Sequence, residues 1–164
     1  MPAKRSRELK PLSSEHHQAL LVAFQLKKAI AGHAETAGAP RDMDGLVALA
    51  RRFEESVFLV HIEAEEQLLG RHLSPADSRR LREEHRELRE LLSDARSARQ
   101  AARRAPLLAF AELLERHVRW EERELFGRLE GAVPPEELAT LGHALELRLV
   151  TAGKGAKGGK RTGG

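Results

Sequence analysis

Short breaks divide this chain into long stretches with helical apolar spacing, and that punctuation leaves little room for anything but an all-α fold. The first helix is expected from about Ser13 to Ala34, with Leu12, Ala19, Ala23, Leu26 and Ile30 on one stripe and Gln18, Gln25 and Lys28 opposite. Gly38, Ala39 and Pro40 break it, and the second helix runs from about Met43 to His72. Ser74-Pro75-Ala76-Asp77 is the clearest boundary, because Ser74 can cap a third helix, Pro75 suits its first position and Asp77 completes a box-like pair. That helix continues to about Ala102, Arg103 to Pro106 start a fourth that ends near Gly131, and Pro134-Pro135 open a shorter one through Val150. Short connections between long helices favour antiparallel neighbours, so the expected architecture is an up-down-up-down four-helix bundle over residues 12–131. A basic segment (1–11) precedes it; a short C-terminal helix (132–151) and a disordered Gly/Lys tail (152–164) follow.

The 164 residues suffice for one domain, and 41% hydrophobic content suffices for one core. With five Phe, one Trp and no Tyr, against abundant Ala, Leu, Arg and Glu, the composition is that of a helical protein. The absence of Cys excludes disulfides, thiolate metal sites and iron–sulfur ligation by this chain, so any metal must take nitrogen and oxygen ligands. No apolar run is long enough to span a bilayer and the N-terminus lacks a secretory signal core, from which a cytoplasmic location is expected. Much of the net charge of +3 sits in the two tails, which read as solubilising segments; neither a specific nucleic acid nor a membrane is expected as partner.

The histidines carry the chemistry. His61 and Glu65 form one His-x-x-x-Glu pair, and His117 and Glu121 a second, on alternate helices. At a spacing of one turn both side chains share a face, so an imidazole nitrogen and a carboxylate oxygen can converge on one ion. The intervening helix contributes His85, flanked by Leu81, Leu88 and Leu92, and the first helix contributes Glu15-His16-His17. Adjacent helical positions point about 100° apart, so only one of His16 and His17 serves the site; His16 lies closer to the apolar stripe and is preferred. Four imidazoles and two carboxylates can bind two divalent ions, each Glu bridging them, with positions left for oxo, hydroxo or small ligands. Iron suits such donors best among abundant metals; manganese and zinc are chemically compatible. Burying these groups in one core without a cation would leave a costly desolvated cluster. His33, His72 and His143 lack a suitably spaced carboxylate and are expected to be exposed or capping. Glu66 and Glu122 can orient imidazoles, although solvation is the commoner fate of such charges, and Trp120 should pack beside His117.

The order His16 or His17, His61-x-x-x-Glu65, His85, His117-x-x-x-Glu121 resembles the hemerythrin-like (HHE cation-binding) domain family over about residues 12–131. The resemblance implies a non-haem di-iron centre, carboxylate- and oxo- or hydroxo-bridged, in an antiparallel four-helix bundle, with an exchangeable site open to oxygen-derived or nitrogen-oxide ligands. Members include oxygen carriers, sensors of iron or oxygen, and proteins linked to iron–sulfur repair or nitrosative stress. Oxygen carriers place two His one turn apart on the third helix; here Arg89 stands one turn after His85, which argues against reversible oxygen carriage. The Cys-bearing N-terminal region of repair-type relatives is absent as well. The leading expectation is therefore a di-iron protein that binds, senses or handles oxygen, peroxide, nitric oxide or iron. The alternatives are a ferritin-type iron oxidase or storage protein, disfavoured because those bundles use Glu-x-x-His, the reverse order, and a metal-free helical interaction module with basic tails. No nucleophile–base arrangement is present, so any catalysis, such as weak peroxide handling or iron oxidation, would be the metal's own.

Overall fold

The computed structural model describes residues 5–157, and among them every regular element is helical. The long helices are α1 (Lys10–Ile30), α2 (43–72), α3 (Pro75–Ser97), α4 (104–132) and α5 (Pro135–Lys157). Helix α1 packs on α2 and α4, and α3 packs on the same two, so the first four close into a ring. Helix α5 lies outside that ring, against α1 and the middle of α2. None of the helices is long and apolar enough, among the described residues, to cross a membrane.

The local stops are those that sequence chemistry supplies, with three differences. Ser74 caps α3, its Oγ accepting from the Asp77 amide at 3.1 Å, and Asp42 caps α2 by accepting from the Gly45 amide at 2.7 Å. Helix α1 starts at Lys10 and ends at Ile30, short of the expected Ala34, because Gly32 takes φ 90°, a left-handed conformation that ends the helix at little cost only for glycine. One further turn, Ala34–Ala37, follows before Pro40. Helix α3 ends at Ser97 instead of Ala102. The residues beyond are good helix formers, so the stop depends on side-chain contacts: Ala98 and Arg99 are extended, and the Arg103 guanidinium donates to the Ala98 carbonyl at 2.8 Å and to the Asp44 carboxylate of α2. Helix α5 continues past Val150 to Lys157, since no proline interrupts it there. The rest of the expected disordered tail lies outside the described residues.

The buried apolar residues form two clusters at different levels of the bundle. One holds Ala23, Leu26, Ile62, Leu88, Phe110 and Leu114; the other holds Leu12, Leu69, Leu81, Leu125 and Phe126, together with Leu141, Leu145 and Leu149 of α5. Each such large side chain contributes about 1.5–3 kcal/mol through burial, so three leucines suffice to dock α5. Between the two clusters lies a single layer of buried His and Glu.

Candidate metal centre

That layer draws one or two residues from each of the four ring helices. On α1, His16 lies between buried Leu12 and Ala19; on α3, His85 lies between buried Leu81 and Leu88. On α2, His61 and Glu65 are one turn apart, as are His117 and Glu121 on α4. A wide, π-type turn begins at each inner carboxylate, Glu65–Leu69 in α2 and Glu121–Leu125 in α4. Such single turns recur at functional sites because they re-aim the residues that follow.

The six residues resolve into two groups, His16, His61, Glu65 and Glu121, and His85, His117, Glu65 and Glu121, each offering four donor atoms close together. In the first group the two Nε2 atoms are 3.1 Å apart, Glu65 Oε1 is 3.1 Å from His61 Nε2, and Glu121 Oε2 is 3.1 Å from His16 Nε2. The second group repeats this: the Nε2 atoms of His85 and His117 are 3.1 Å apart, Glu65 Oε2 is 3.3 Å from His85 and Glu121 Oε1 is 3.2 Å from His117. Both carboxylates thus present one oxygen to each group. An ion with bonds of about 2.1 Å at right angles holds neighbouring donors about 3.0 Å apart, so these edges fit a cation in each group.

Every imidazole is oriented from its other nitrogen. His16 Nδ1 meets Glu122 at 2.7 Å, His61 Nδ1 meets Glu15 at 2.6 Å, His85 Nδ1 meets Glu66 at 2.8 Å and His117 Nδ1 meets Glu84 at 2.7 Å. A carboxylate only accepts, so each Nδ1 carries the proton and a neutral ring turns its bare Nε2 lone pair inward. Two lone pairs then face each other at 3.1 Å in each group. The four oxygens of Glu65 and Glu121, both 0% exposed, find no hydrogen-bond donor among the described residues. Buried acceptors facing acceptors are expensive unless a cation lies between them. The donor set and its orphaned oxygens therefore fit two divalent ions, held by His16 and His61 on one side, His85 and His117 on the other, and Glu65 and Glu121 between.

Without metal, protons take over part of that role. Burial pushes the His61 imidazole down, but the Glu65 charge and the bond to Glu15 outweigh it and hold its pKa at about 9. His117 goes up to about 10, burial again being overcome by Glu121 and Glu84. On Glu122 burial raises the pKa, yet the bonds to His16 and Ser13 and the charge of Arg5 bring it down to about 2.

The arrangement has an internal near-symmetry that the chain numbering makes visible. Adding 56 to His61, Glu65 and Glu66 of α2 gives His117, Glu121 and Glu122 of α4; adding 69 to Glu15 and His16 of α1 gives Glu84 and His85 of α3. The outer pairs obey the same operation, since Glu122 to His16 maps onto Glu66 to His85 and Glu15 to His61 onto Glu84 to His117.

Of the residues singled out in the sequence, the structure brings together His16, His61, Glu65, His85, His117 and Glu121. His17 is exposed and belongs to neither group; the rotation of about 100° between adjacent helical positions turns it to solvent. Glu66 and Glu122 orient imidazoles rather than being merely solvated. Trp120 packs with its ring centre 6.1 Å from that of His117, under the Arg80 guanidinium. His33 and His143 are exposed, His72 is half-buried, and Arg89 is exposed. Sequence reasoning missed Glu15 and Glu84, although each directly precedes an inward His.

Fold and site together define a class, an all-α bundle with a candidate two-cation centre of His and Glu donors in its core. Residues 76–144 match the family model described as hemerythrin HHE cation binding domain, and over that span the chain is similar to this family. The matched span runs from α3 into α5 and contains His85, His117 and Glu121; His16, His61 and Glu65 lie outside it and join the centre through the fold. No curated protein and no solved structure matches the chain.

Proposed function

We propose that this protein holds two iron ions between its His and Glu side chains and offers them to a small ligand, dioxygen, peroxide or nitric oxide, in an enclosed apolar cavity. The observation that carries the reading is the cavity beside the two groups. It is lined on one side by His16, His61, His117 and Glu121, and on the other by Ala19, Phe53, Phe58, Leu114 and Val118. Its volume, counted as space for the centre of a water molecule, is about 10 Å³. That is near the lower limit for one water, so the space admits only the smallest ligands and excludes a bulkier substrate.

The near-symmetry explains why the cavity lies on this side. The operation that carries His16 to His85 carries Ala19 to Leu88, which is fully buried. Where α3 fills the space with a leucine, α1 leaves it open. The chain's own contribution is to hold the inner donors through Glu15, Glu66, Glu84 and Glu122, to share Glu65 and Glu121 between the two groups, and to keep bulk water from the apolar wall. Iron, when bound, supplies open coordination positions and one-electron redox chemistry. The site contains no candidate nucleophile, which favours binding or sensing over hydrolytic or group-transfer chemistry.

The test is to prepare the iron-loaded protein without oxygen and record absorption spectra on adding nitric oxide, peroxide or dioxygen. A ligand-specific band at a stoichiometry near two irons per chain is expected. An iron-loaded protein whose spectrum responds to none of the three would overturn the proposal.

A further inference from the structure

The four outer carboxylates are alike in role but not in how they are held. Glu84 receives Arg80 from one turn earlier on its own helix, at 2.8 Å. Glu66 has Arg82 at 3.7 Å, a loose contact with an exposed side chain. Glu122 is held from outside the ring, by the segment that precedes α1. Arg5 donates to its carboxylate through Nε at 3.3 Å and Nη2 at 3.2 Å, and Nη2 also donates to the Glu122 carbonyl. Ser13 adds a bond to the other carboxylate oxygen at 2.6 Å, the same oxygen that meets His16 Nδ1 at 2.7 Å.

A second set of contacts reaches the same imidazole. The Arg5 guanidinium lies over the Phe126 ring at 5.1 Å, and Phe126 stacks on His16 with centres 5.4 Å apart and planes 14° from parallel. The segment is anchored one helical turn and more along α4, where Glu130 accepts from Arg5 Nη1 at 3.2 Å and from the Ser6 amide at 2.9 Å. One arginine thus bears on both groups that fix the His16 ring, the carboxylate at its Nδ1 and the aromatic face beneath it. The near-symmetric position has neither the backbone bond nor the aromatic stack: His85 meets His117 edge-on, as His16 meets His61 at a tilt, but no aromatic ring stacks on His85 among the described residues, and Arg82 makes a single contact with Glu66.

We infer that Arg5 is a positioning residue for the cation group of His16 and His61, and that the segment before α1 acts as a strap setting the affinity of that group independently of its neighbour. The inference rests on the proposed metal centre, yet it makes a claim about the His16 ring that holds without metal. Loss of the strap leaves Glu122 with Ser13 as its remaining donor besides His16, which loosens it toward solvent and lets the His16 ring move, so the first group loses a preset donor. The second group keeps Glu66, Glu84 and their own arginines.

Three variants test it: Arg5→Ala, Arg5→Lys and Arg82→Ala. Ferrous iron is titrated into each metal-free protein, and solvent exchange of the His16 and His85 Nδ1–H protons is followed by NMR in the same samples before metal is added. Arg5→Ala is expected to split the two-ion titration, weakening one ion roughly tenfold, as loss of outer-sphere support does, and leaving the other unchanged. Its His16 Nδ1–H should exchange at least several-fold faster while that of His85 does not. Arg5→Lys, which keeps a charge near Glu122, should restore part of the effect, and Arg82→Ala should leave His16 exchange unaltered. Wild-type protein that takes up no iron would defeat the metal reading, while the exchange measurement would still decide the strap. Equal iron affinities together with unchanged His16 exchange in Arg5→Ala would overturn it, even if the variant melted at a lower temperature.

Discussion

Replacing Ala19 with leucine should separate ligand access from metal binding. Ala19 is only 4% exposed and lines the cavity beside His16 and His61. Leucine there adds three carbons, worth about 2.4 kcal/mol at about 0.8 kcal/mol per buried methylene, against an overpacking cost of about 1–3 kcal/mol. The two nearly cancel, so the thermal midpoint should stay close to wild type. The void, in contrast, is filled much as Leu88 fills the related space on α3. A ligand must then displace the leucine into a strained rotamer at about 1–3 kcal/mol, which weakens binding roughly 5- to 150-fold. The assay is a spectroscopic titration of the iron-loaded variant with nitric oxide and with peroxide, alongside its iron content. Unchanged iron with ligand affinity within about twofold of wild type would refute the argument that this cavity receives the ligand.

Removing a shared carboxylate should cost more metal than removing a histidine. Glu121→Ala takes a donor from both groups and is expected to lose both ions, whereas His61→Ala loses the ion of its own group; unchanged iron in both, by elemental analysis, would contradict the ligand assignment. Glu84→Gln leaves the size of the partner of His117 unchanged but removes its charge, and should weaken iron about tenfold in a chelator competition, with no change refuting its orienting role. The pH dependence should reverse with metal. In the metal-free protein, His61 at about 9 and His117 at about 10 lie above their unfolded value, so their contribution to stability is complete below about pH 6.5 and is lost as pH rises through 9 to 10. The loaded protein needs bare Nε2 atoms and should instead lose stability as acid displaces the ions, so thermal midpoints against pH should slope in opposite senses with and without iron. Parallel slopes would show that the ions do not replace those protons.

Much of this was legible in the sequence because it rests on local rules. The Ser74 cap, the break at Pro40 and the His-x-x-x-Glu pairs follow from helix geometry alone, and the family resemblance stood on the same residues. The end of α3 was not legible, because Ala98 to Ala102 are good helix formers and the stop depends on Arg103, which reaches back to Ala98 and across to Asp44 of α2. The orienting role of Glu15 and Glu84 was missed although the argument for it was at hand. The 100° between neighbours that turns His17 outward also turns Glu15, beside His16, toward the next helix, where it meets His61. The π turns and the cavity at Ala19 depend on how the helices pack, which residue spacing does not encode.

The measurement that bears most directly on the central claim is the metal content of purified protein after iron loading, with its stoichiometry checked in the Glu65→Ala variant. Glu65 gives one oxygen to each group, 3.1 Å from His61 and 3.3 Å from His85. Two irons per chain in the wild type, falling below one in the variant, is the predicted result. A wild type that stays folded with under half an iron per chain, or a variant that keeps both ions, would contradict a shared two-ion centre.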